Sequence, residues 1–237
     1  MTEPRYKRIL LKISGEAFSG KAGYGIDAPT INHVAIQIKH VIEMGVGVAI
    51  VVGGGNIWRG AADGAGIDKT VADYIGMTAT LINAMALCER FKIKKIPSKP
   101  FSSFKVGNFI EQFTLEKIQA AWNEGKILIF AGGTGRPHFT TDTGAALFAV
   151  ETGAEAILKA TDVDGVYDSD PHKNKKAKFI RKISFDEVIE KNLKVMDMSA
   201  FSLCRQHKIK IIIFNFKKHG NILKAVDGKP VGSLVCC

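Results

Sequence analysis

The hydrophobic pattern along the chain alternates between two kinds of segment. Short runs that are apolar at nearly every position, such as residues 8–13 and 46–52, are typical of parallel strands covered on both faces. After the first run, apolar residues recur every three or four positions over residues 31–42, which is the spacing of a helix with one buried face. Strand and helix therefore alternate from the start of the pattern.

The same alternation continues to the end of the chain. The pattern predicts further helices over residues 70–91 and 114–124, after Asp142, over 186–190 and 199–207, and near Ile222; it predicts further strands over 126–130, 156–160 and 210–214. This order predicts an α/β fold with a central, mainly parallel sheet and right-handed crossovers. No linker or internal repeat interrupts it, so we expect residues 1–237 to form a single domain.

The first glycine loop follows strand 8–13. Its residues Gly15, Gly20 and Lys21 fall at P-loop intervals, but Ala22 lacks the hydroxyl that would ligate magnesium, so we do not expect a P-loop. Lys12, at the end of the strand, has the reach to stabilise negative charge on a transferring phosphoryl group, and the amides around Gly15 are suited to phosphate oxygens. A strand-end lysine that faces water is the alternative.

The second loop, GGGNIWRG at residues 53–60, also follows a buried strand. Three consecutive glycines let the backbone approach a ligand closely, and Arg59 adds a bidentate donor suited to phosphate. Trp58 occupies the position of the third glycine in a dinucleotide fingerprint, which excludes that motif. The loop is thus either a phosphate-binding loop or a flexible turn.

The third loop, GGTGRPHFTTD at residues 132–142, again follows a buried strand. Thr140 and Thr141 stand where the next helix begins, and a helix dipole favours phosphate there. His138 is the one histidine inside a glycine loop. Asp142 by itself is adequately explained as a helix N-cap, so a functional role for it depends on its neighbours.

The fourth segment, KATDVDGVYDSDP at residues 159–171, places four aspartates after a strand. An EF-hand is excluded, because Tyr167 stands at the sixth position, where that loop needs glycine. Two interpretations remain. The segment is a solvated turn built on Asp164 and Gly165, or a nucleotide site in which Tyr167 lies against a planar base.

The net charge of +10 suits nucleic acid, an anionic surface or small phosphorylated ligands. The basic residues are scattered, and they lack the interleaved aromatic residues of a base-stacking surface. We therefore expect most of them to coat a solvated surface and do not expect nucleic-acid binding.

The four cysteines form no pair of CxxC elements, which is typical of a reducing cytoplasm. The adjacent Cys236 and Cys237 are interpreted as a frayed tail. No apolar run reaches the roughly 18 residues of a membrane span, and the first residues do not resemble a signal-peptide core. The sequence predicts a cytoplasmic protein that does not enter a membrane.

Six segments occur in the order seen in bacterial uridylate kinases of the amino acid kinase superfamily: KISGE, GGGNIWRG, VADYIGM, TGRPHFTTDT, LKATDVDGVYDSDP and KVMDMSAF. The resemblance covers nearly the whole chain. DVDGVYxxDP indicates only the superfamily, which includes aspartate, acetylglutamate and carbamate kinases, whereas TGxPxFTTD and the DYxGM-like segment narrow it to the enzymes that act on UMP. The implied fold is a three-layer α/β/α sandwich.

The resemblance implies which residues contact each substrate. Those on the ATP side are Lys12, Ile13, Ser14, Gly15, Gly55, Arg59, Thr161, Tyr167 and Asp170. Those on the UMP side are Gly54, Asp73, Thr134, Gly135, Arg136, Pro137, His138, Phe139, Thr140 and Thr141. The N-terminal part of the chain would then bind mainly UMP and the C-terminal part mainly ATP.

The resemblance also implies an activity and its regulation. We expect in-line phosphoryl transfer from ATP to UMP, with Lys12 at the transferred phosphate, Asp142 organising the metal or the positive groups, and Lys159 adding charge stabilisation. Mg²⁺ would arrive with ATP, and no metal ligand is identified. The family forms hexamers and in many bacteria is activated by GTP and inhibited by UTP. The segment linked to GTP activation matches Gly20, Lys21, Ala22, Gly23, Tyr24 and Gly25.

The chain departs from the family pattern in two places. Arg136 and His138 stand where the family commonly has Asn and Phe, so contacts with UMP are expected to differ, and the lysine-rich region 91–113 is unlike that of typical members. Other interpretations are an amino acid kinase with a carboxylate or carbamate acceptor, a basic nucleic-acid-binding regulator, and a noncatalytic scaffold that retains the fold.

Overall fold

A computed structural model describes residues 4–59, 66–193 and 195–236. The strands are β1 (Arg8–Ile13), β2 (Gly47–Val52), β3 (Ser98–Ser102), β4 (Glu111–Gln112), β5 (Ile127–Ala131), β6 (Ala156–Thr161), β7 (Val166–Tyr167), β8 (Phe179–Ile180), β9 (Lys182–Ser184), β10 (Lys210–Asn215) and β11 (Ser233–Cys236). The α-helices are α1 (Ala28–Glu43), α2 (Lys69–Ile93), α3 (Leu115–Asn123), α4 (Thr141–Thr152), α5 (Phe185–Glu190), α6 (Met198–Gln206) and α7 (Asn221–Val226).

Nine of the described strands form a single sheet in the order β4-β3-β5-β2-β1-β6-β10-β11-β9. Every neighbouring pair in it is parallel except β10 and β11. Strands β7 and β8 form a separate antiparallel pair beside the sheet. The predicted mainly parallel α/β sheet is confirmed.

Two apolar cores cover the two faces of the sheet, because successive side chains of a strand point to opposite sides. In β1, Ile9 and Leu11 face one core, which α1, α2 and α7 complete. Leu10 faces the other core, which contains residues of α3, α4, α5 and α6. The result is the expected three-layer α/β/α sandwich.

The helices and strands expected from the pattern are all present, with ends shifted by at most three residues. Strands β3, β4, β7, β8, β9 and β11 were not predicted. Pro100 interrupts the apolar character of β3 and lacks a backbone donor, and β4 has only two residues. The expectation of a frayed tail is wrong for Cys236, because β11 holds it beside Ser184 of β9; Cys237 lies outside the described residues.

Helix α2 is long and apolar enough to cross a membrane by length and composition alone. Its apolar residues Leu81, Ala84, Leu87 and Phe91 are buried in the core against the sheet. A core helix of a soluble protein has the same length and composition, so the contacts of α2 explain its hydropathy.

We expect Phe130→Ala to destabilise the fold by about 3–5 kcal/mol, because truncating a buried aromatic ring leaves a cavity. The ring of Phe130 stacks on that of Phe148 with 4.0 Å between centroids and contacts the edge of Phe113 at 6.3 Å. Urea unfolding measures the loss. Phe109→Ala is the matched control, because the side chain of Phe109 is 62% exposed, and an equal loss in both variants would contradict this account of the core.

Candidate active site

The four loops singled out in the sequence meet at one edge of the sheet. They follow β2, β1 and β6, which are adjacent, and β5, which pairs with the far side of β2. Because these strands are parallel, their carboxyl ends lie side by side, and this edge is where open α/β sheets bind ligands.

A buried trio of charged side chains lies at this edge. Lys12 of β1 and Lys159 of β6 are directly opposite each other in the parallel register, so both point to the α4 side of the sheet. Asp142, in the first turn of α4, bridges them: its Oδ1 lies 2.9 Å from Nζ of Lys12 and its Oδ2 lies 2.7 Å from Nζ of Lys159. Lys12 is only 9% exposed, so the alternative of a lysine facing water is wrong.

The charges of the trio are set by burial and by each other. Burial raises the pKa of Asp142, but the ammonium groups of Lys12 and Lys159 lower it by more, so the pKa lies below its ordinary value. Burial lowers the pKa of Lys159, and Asp142 partly offsets that effect. With both lysines protonated, the trio carries one net positive charge in a poorly solvated place, which is an arrangement that attracts an anion.

Asp142 is not the N-cap of its helix. Thr140 is the N-cap, and its Oγ1 accepts hydrogen bonds from the backbone N–H of Asp142 at 3.0 Å and of Thr143 at 3.4 Å. Since a threonine hydroxyl caps the helix, the Asp142 carboxylate is left to contact the two lysines.

The first two glycine loops touch each other. A side chain at Gly15 would place its Cβ 2.4 Å from the backbone N of Gly55, and one at Gly53 would place it 2.8 Å from the backbone N of Gly15. Neither position therefore has room for a side chain. The segment after Ser14 forms a short 3-10 helix, Gly15–Phe18, rather than a P-loop.

A buried pair of asparagines supports the second loop from below. Nδ2 of Asn56 donates to Oδ1 of Asn83 at 2.9 Å, and Nδ2 of Asn83 donates to Oδ1 of Asn56 at 2.7 Å. Asn83 also donates to the carbonyl of Gly53, and Asn56 to the carbonyl of Gly25. The pair thus ties α2, the glycine loop and the segment 20–25 together.

The larger of two cavities beside the trio has a volume of about 580 Å³. Four residues predicted for the ATP side or for catalysis line it: Lys159, Thr161, Tyr167 and Asp170. Tyr167 contacts the edge of the Phe179 ring at 5.5 Å, which orients its ring. Asn192 and Leu193, from the loop after α5, also line this cavity.

The smaller cavity, of about 180 Å³, lies on the other side of the trio. Residues predicted for the substrates line it: Gly54, Gly55, Asp73, Phe139 and Thr141. Trp58, Gly76, Met77 and Thr80 line it too. Gly55, predicted for the ATP side, therefore borders the smaller cavity. Lys159 lines one cavity and Thr141, the neighbour of Asp142, lines the other, so the trio lies between them.

The remaining residues of the third loop form its outer turn. The Oγ1 of Thr134 donates to the carbonyl of Arg136 at 3.1 Å, and the Arg136 side chain is exposed. His138 has a positive φ of 67°, and its backbone N–H donates to Oδ2 of Asp73 at 2.8 Å. Neither cavity is lined by Thr134, Gly135, Arg136, Pro137, His138 or Thr140.

The other predicted residues of the first two loops line neither cavity. Arg59 donates through Nε to the carbonyl of Gly55 at 3.1 Å and contacts Glu16 at 3.1 Å. Neither cavity is lined by Lys12, Ile13, Ser14, Gly15 or Arg59. In the segment 20–25, Gly20–Ala22 forms a 3-10 turn and Tyr24 is 77% exposed.

Several residues of the site carried no signal in the sequence. Asn192 and Leu193 reach the larger cavity only because β9 and α5 return beside β11. Asn83 lies inside the long apolar helix α2. Its role as a buried amide becomes visible only when its partner, Asn56, is known. The segment KVMDMSAF was recognised, but nothing in its spacing indicated what it contacts.

Comparison with known proteins agrees with this geometry. The amino acid kinase family model matches residues 7–215. The structure is similar to that of UMP kinase from Bacillus anthracis (36% identity, TM-score 0.93, covering 98% of this chain and 96% of that one). It is also similar to UMP kinase from Ureaplasma parvum (37% identity, TM-score 0.92, covering 98% of this chain and 100% of that one). Uridylate kinase from Archaeoglobus fulgidus is 29% identical with a TM-score of 0.72, covering 96% of this chain and 99% of that one.

The chain belongs to the amino acid kinase family. Within that family it belongs with the UMP kinases, which it matches over nearly its whole length. The nucleic-acid-binding and scaffold interpretations are not favoured, and neither is a carboxylate or carbamate acceptor.

We expect Lys12→Ala to lower turnover by roughly a hundredfold to a thousandfold, which is the usual loss for one preorganised electrostatic contact. Steady-state phosphoryl transfer measures it, with circular dichroism to show that the variant is folded. Lys39→Ala is the control, because Lys39 forms only an exposed ion pair with Glu43. A folded Lys12→Ala enzyme with near wild-type turnover would show that Lys12 is not catalytic.

Proposed function

We propose that this protein is a uridylate kinase that transfers the γ-phosphate of ATP to UMP, giving ADP and UDP. The observation that carries the proposal is the position of the Lys12–Asp142–Lys159 trio between two cavities of unequal size. A reaction between two anionic substrates needs positive charge where their phosphates meet, and the trio supplies it there.

We assign ATP to the larger cavity and UMP to the smaller one. The phosphate of UMP attacks the γ-phosphorus in line, and ADP leaves from the opposite side. No separate base is needed, because the attacking phosphate oxygen is already an anion. Lys12 and Lys159 stabilise the charge that spreads over the phosphoryl oxygens, and Asp142 holds the two lysines in place.

The residues around each cavity support this assignment. Thr161, Tyr167 and Asp170 are available to ATP in the larger cavity, while Ile13, Ser14, Gly15, Gly55 and Arg59 would contact it at the rim between the two loops. Asp73, in the smaller cavity, has the carboxylate that a ribose hydroxyl would donate to.

The outer turn of the third loop would close over UMP. Thr134, Gly135, Arg136, Pro137 and His138 form this turn beside the smaller cavity, and the backbone of His138 is tied to Asp73. The hydroxyl of Thr140 donates to the carboxylate of Asp197. The hydroxyl at the cavity wall is therefore that of Thr141. Gly54 and Phe139 complete that wall.

Mg²⁺ would enter with ATP and neutralise charge on its phosphates. Within the described residues, no group of three or more His, Cys, Asp or Glu side chains is placed to hold a metal ion. The carboxylates of Asp162, Asp168 and Asp170 line the larger cavity, and carboxylate oxygen is a donor that Mg²⁺ accepts. One of these carboxylates would therefore share the ion with the phosphates, whereas Asp142 would not, because each of its oxygens contacts a lysine.

We also propose a homohexamer in the cytoplasm that GTP activates and UTP inhibits, as the resemblance implies. An exposed apolar stripe on α2 supports assembly: Val71, Tyr74, Ile82, Met85 and Ile93 are 43–63% exposed and recur at helical spacing. The segment 20–25, proposed for GTP, is linked to the glycine loop through Asn56, which gives an effector there a route to the site.

The proposed function is tested by measuring which molecule accepts the phosphoryl group. We expect ADP formation from ATP and Mg²⁺ with UMP, and little with CMP, AMP, aspartate, acetylglutamate or carbamate. Turnover with one of the other acceptors instead of UMP would show that the proposed substrate is wrong, while the assignment to the amino acid kinase family would stand. Silence with every acceptor, together with salt-dependent binding to a DNA duplex, would favour a regulator.

Binding of UMP is measurable separately from turnover. The chain has two tryptophans, and Trp122→Phe leaves Trp58, at the wall of the smaller cavity, as the only tryptophan, so that selective excitation of tryptophan reports on this cavity. We expect UMP to change its emission in a saturable way and aspartate to leave it unchanged. Saturable change with aspartate but not UMP would contradict the assignment of this cavity.

We expect the double substitution Ile82→Glu and Met85→Glu to dissociate the assembly, because two charges would be buried in an apolar contact. Sedimentation velocity measures the mass. Ile189→Glu is the control, since Ile189 is a similarly exposed apolar residue on α5. An unchanged mass would show that the stripe on α2 is not an assembly contact.

A further inference from the structure

Asp197, in the segment KVMDMSAF, contacts the active-site helix without lining either cavity. Its carboxylate accepts hydrogen bonds from the hydroxyl of Thr140 and from the hydroxyl of Thr143, at 2.9 Å to Oδ1. It also caps α6 by accepting from the backbone N–H of Ala200 at 3.0 Å. One carboxylate therefore fastens the first turn of α4 to the first turn of α6.

The contact with Thr140 has a directional consequence. A hydroxyl has a single proton, and Thr140 donates that proton to Asp197. The lone pairs of Thr140 are then turned towards the helix, where they accept from the backbone N–H of Asp142. The hydrogen bonds run from Asp142 through Thr140 to Asp197, so the carboxylate of Asp197 fixes the rotamer on which the position of Asp142 depends.

The same segment makes a second contact with the trio. Nζ of Lys159 donates to the backbone carbonyl of Val195 at 2.5 Å, as well as contacting Asp142. Val195 is buried, and Asp197 follows it by two residues. Two members of the trio are thus held by one short stretch of chain, and Val195 of this stretch also lines the larger cavity.

The buried thiol of Cys204, on α6, lies near the same two carboxylates. Burial raises the pKa of its thiol to about 12, and the negative charges of Asp142 and Asp197 add to the effect. Both carboxylates therefore act on the same buried space between α4 and α6.

We infer that Asp197 is a positioning residue for phosphoryl transfer: it holds Thr140, and through it Asp142, so that the two lysines meet the transferring phosphate. The inference rests on the proposed function. It assigns no substrate contact to Asp197, since its oxygens are already engaged by Thr140, Thr143 and Ala200. A change at Asp197 should therefore alter the rate of the chemical step and not the binding of substrates.

The test is Asp197→Asn. Asparagine caps a helix as well as aspartate does, so α6 keeps its cap. The side-chain amide of asparagine, however, would donate a hydrogen bond to Thr140 instead of accepting one. The hydroxyl proton of Thr140 would then point towards the backbone N–H of Asp142 and displace it. We expect kcat to fall on the order of a hundredfold, as small misplacements of catalytic groups do, while KM for ATP and UMP changes little.

Asp27→Asn is the matched control. Asp27 is also an N-cap carboxylate, on α1, and it accepts from the hydroxyl and the backbone N–H of Thr30. We expect its kcat to equal that of the wild type. Equal kcat in both asparagine variants would overturn the inference. A loss of activity in Asp197→Asn that is fully explained by a smaller folded fraction, measured by urea unfolding, would overturn it too.

A second variant keeps the inference testable if Asp197→Asn folds poorly. Thr143→Val keeps Asp197 and removes one of its two threonine partners, so we expect a smaller fall in kcat with KM for both substrates little changed. Wild-type kcat in a folded Thr143→Val enzyme would contradict the inference. Wild-type turnover with UMP tests the proposed function separately, since the ratio of variant to wild type is measurable with any acceptor that the enzyme uses.

Discussion

The ion-paired trio of Lys12, Asp142 and Lys159 is the interaction on which the rest of the site depends. Removing charged groups from water is costly unless each finds a partner, so three charges at the sheet edge impose strict geometry. β1 and β6 must be adjacent, α4 must begin between them, and its N-cap must leave Asp142 unoccupied. Each condition is met by a separate part of the chain.

The order of the elements could be predicted from the sequence because apolar periodicity reports directly on burial. Strands β1, β2, β5, β6 and β10 are mainly apolar on both alternations, as parallel strands covered on both faces tend to be. Strands such as β3 and β11 gave no such signal, because they are short and depend on a neighbour already in place.

Candidate residues of the site could be predicted in part. Glycine loops after strands identified the edge, and Lys12 and Asp142 were found there. Their ion pair could not be predicted, because they are 130 positions apart in the chain and the pairing is a tertiary contact. The same limit applies to Asn83 and Asp197: each has an ordinary helical context, and only its partner reveals its role.

The register of β1 and β6 has a consequence for how the sequence can change during evolution. Lys12 and Lys159 are opposite each other, and one residue inserted into or deleted from either strand would turn one lysine to the other face. Length changes are therefore acceptable in exposed loops that line neither cavity but not in these two strands. The exposed outer turn of the third loop, which includes Arg136 and His138, can change its residues without moving the lysine pair.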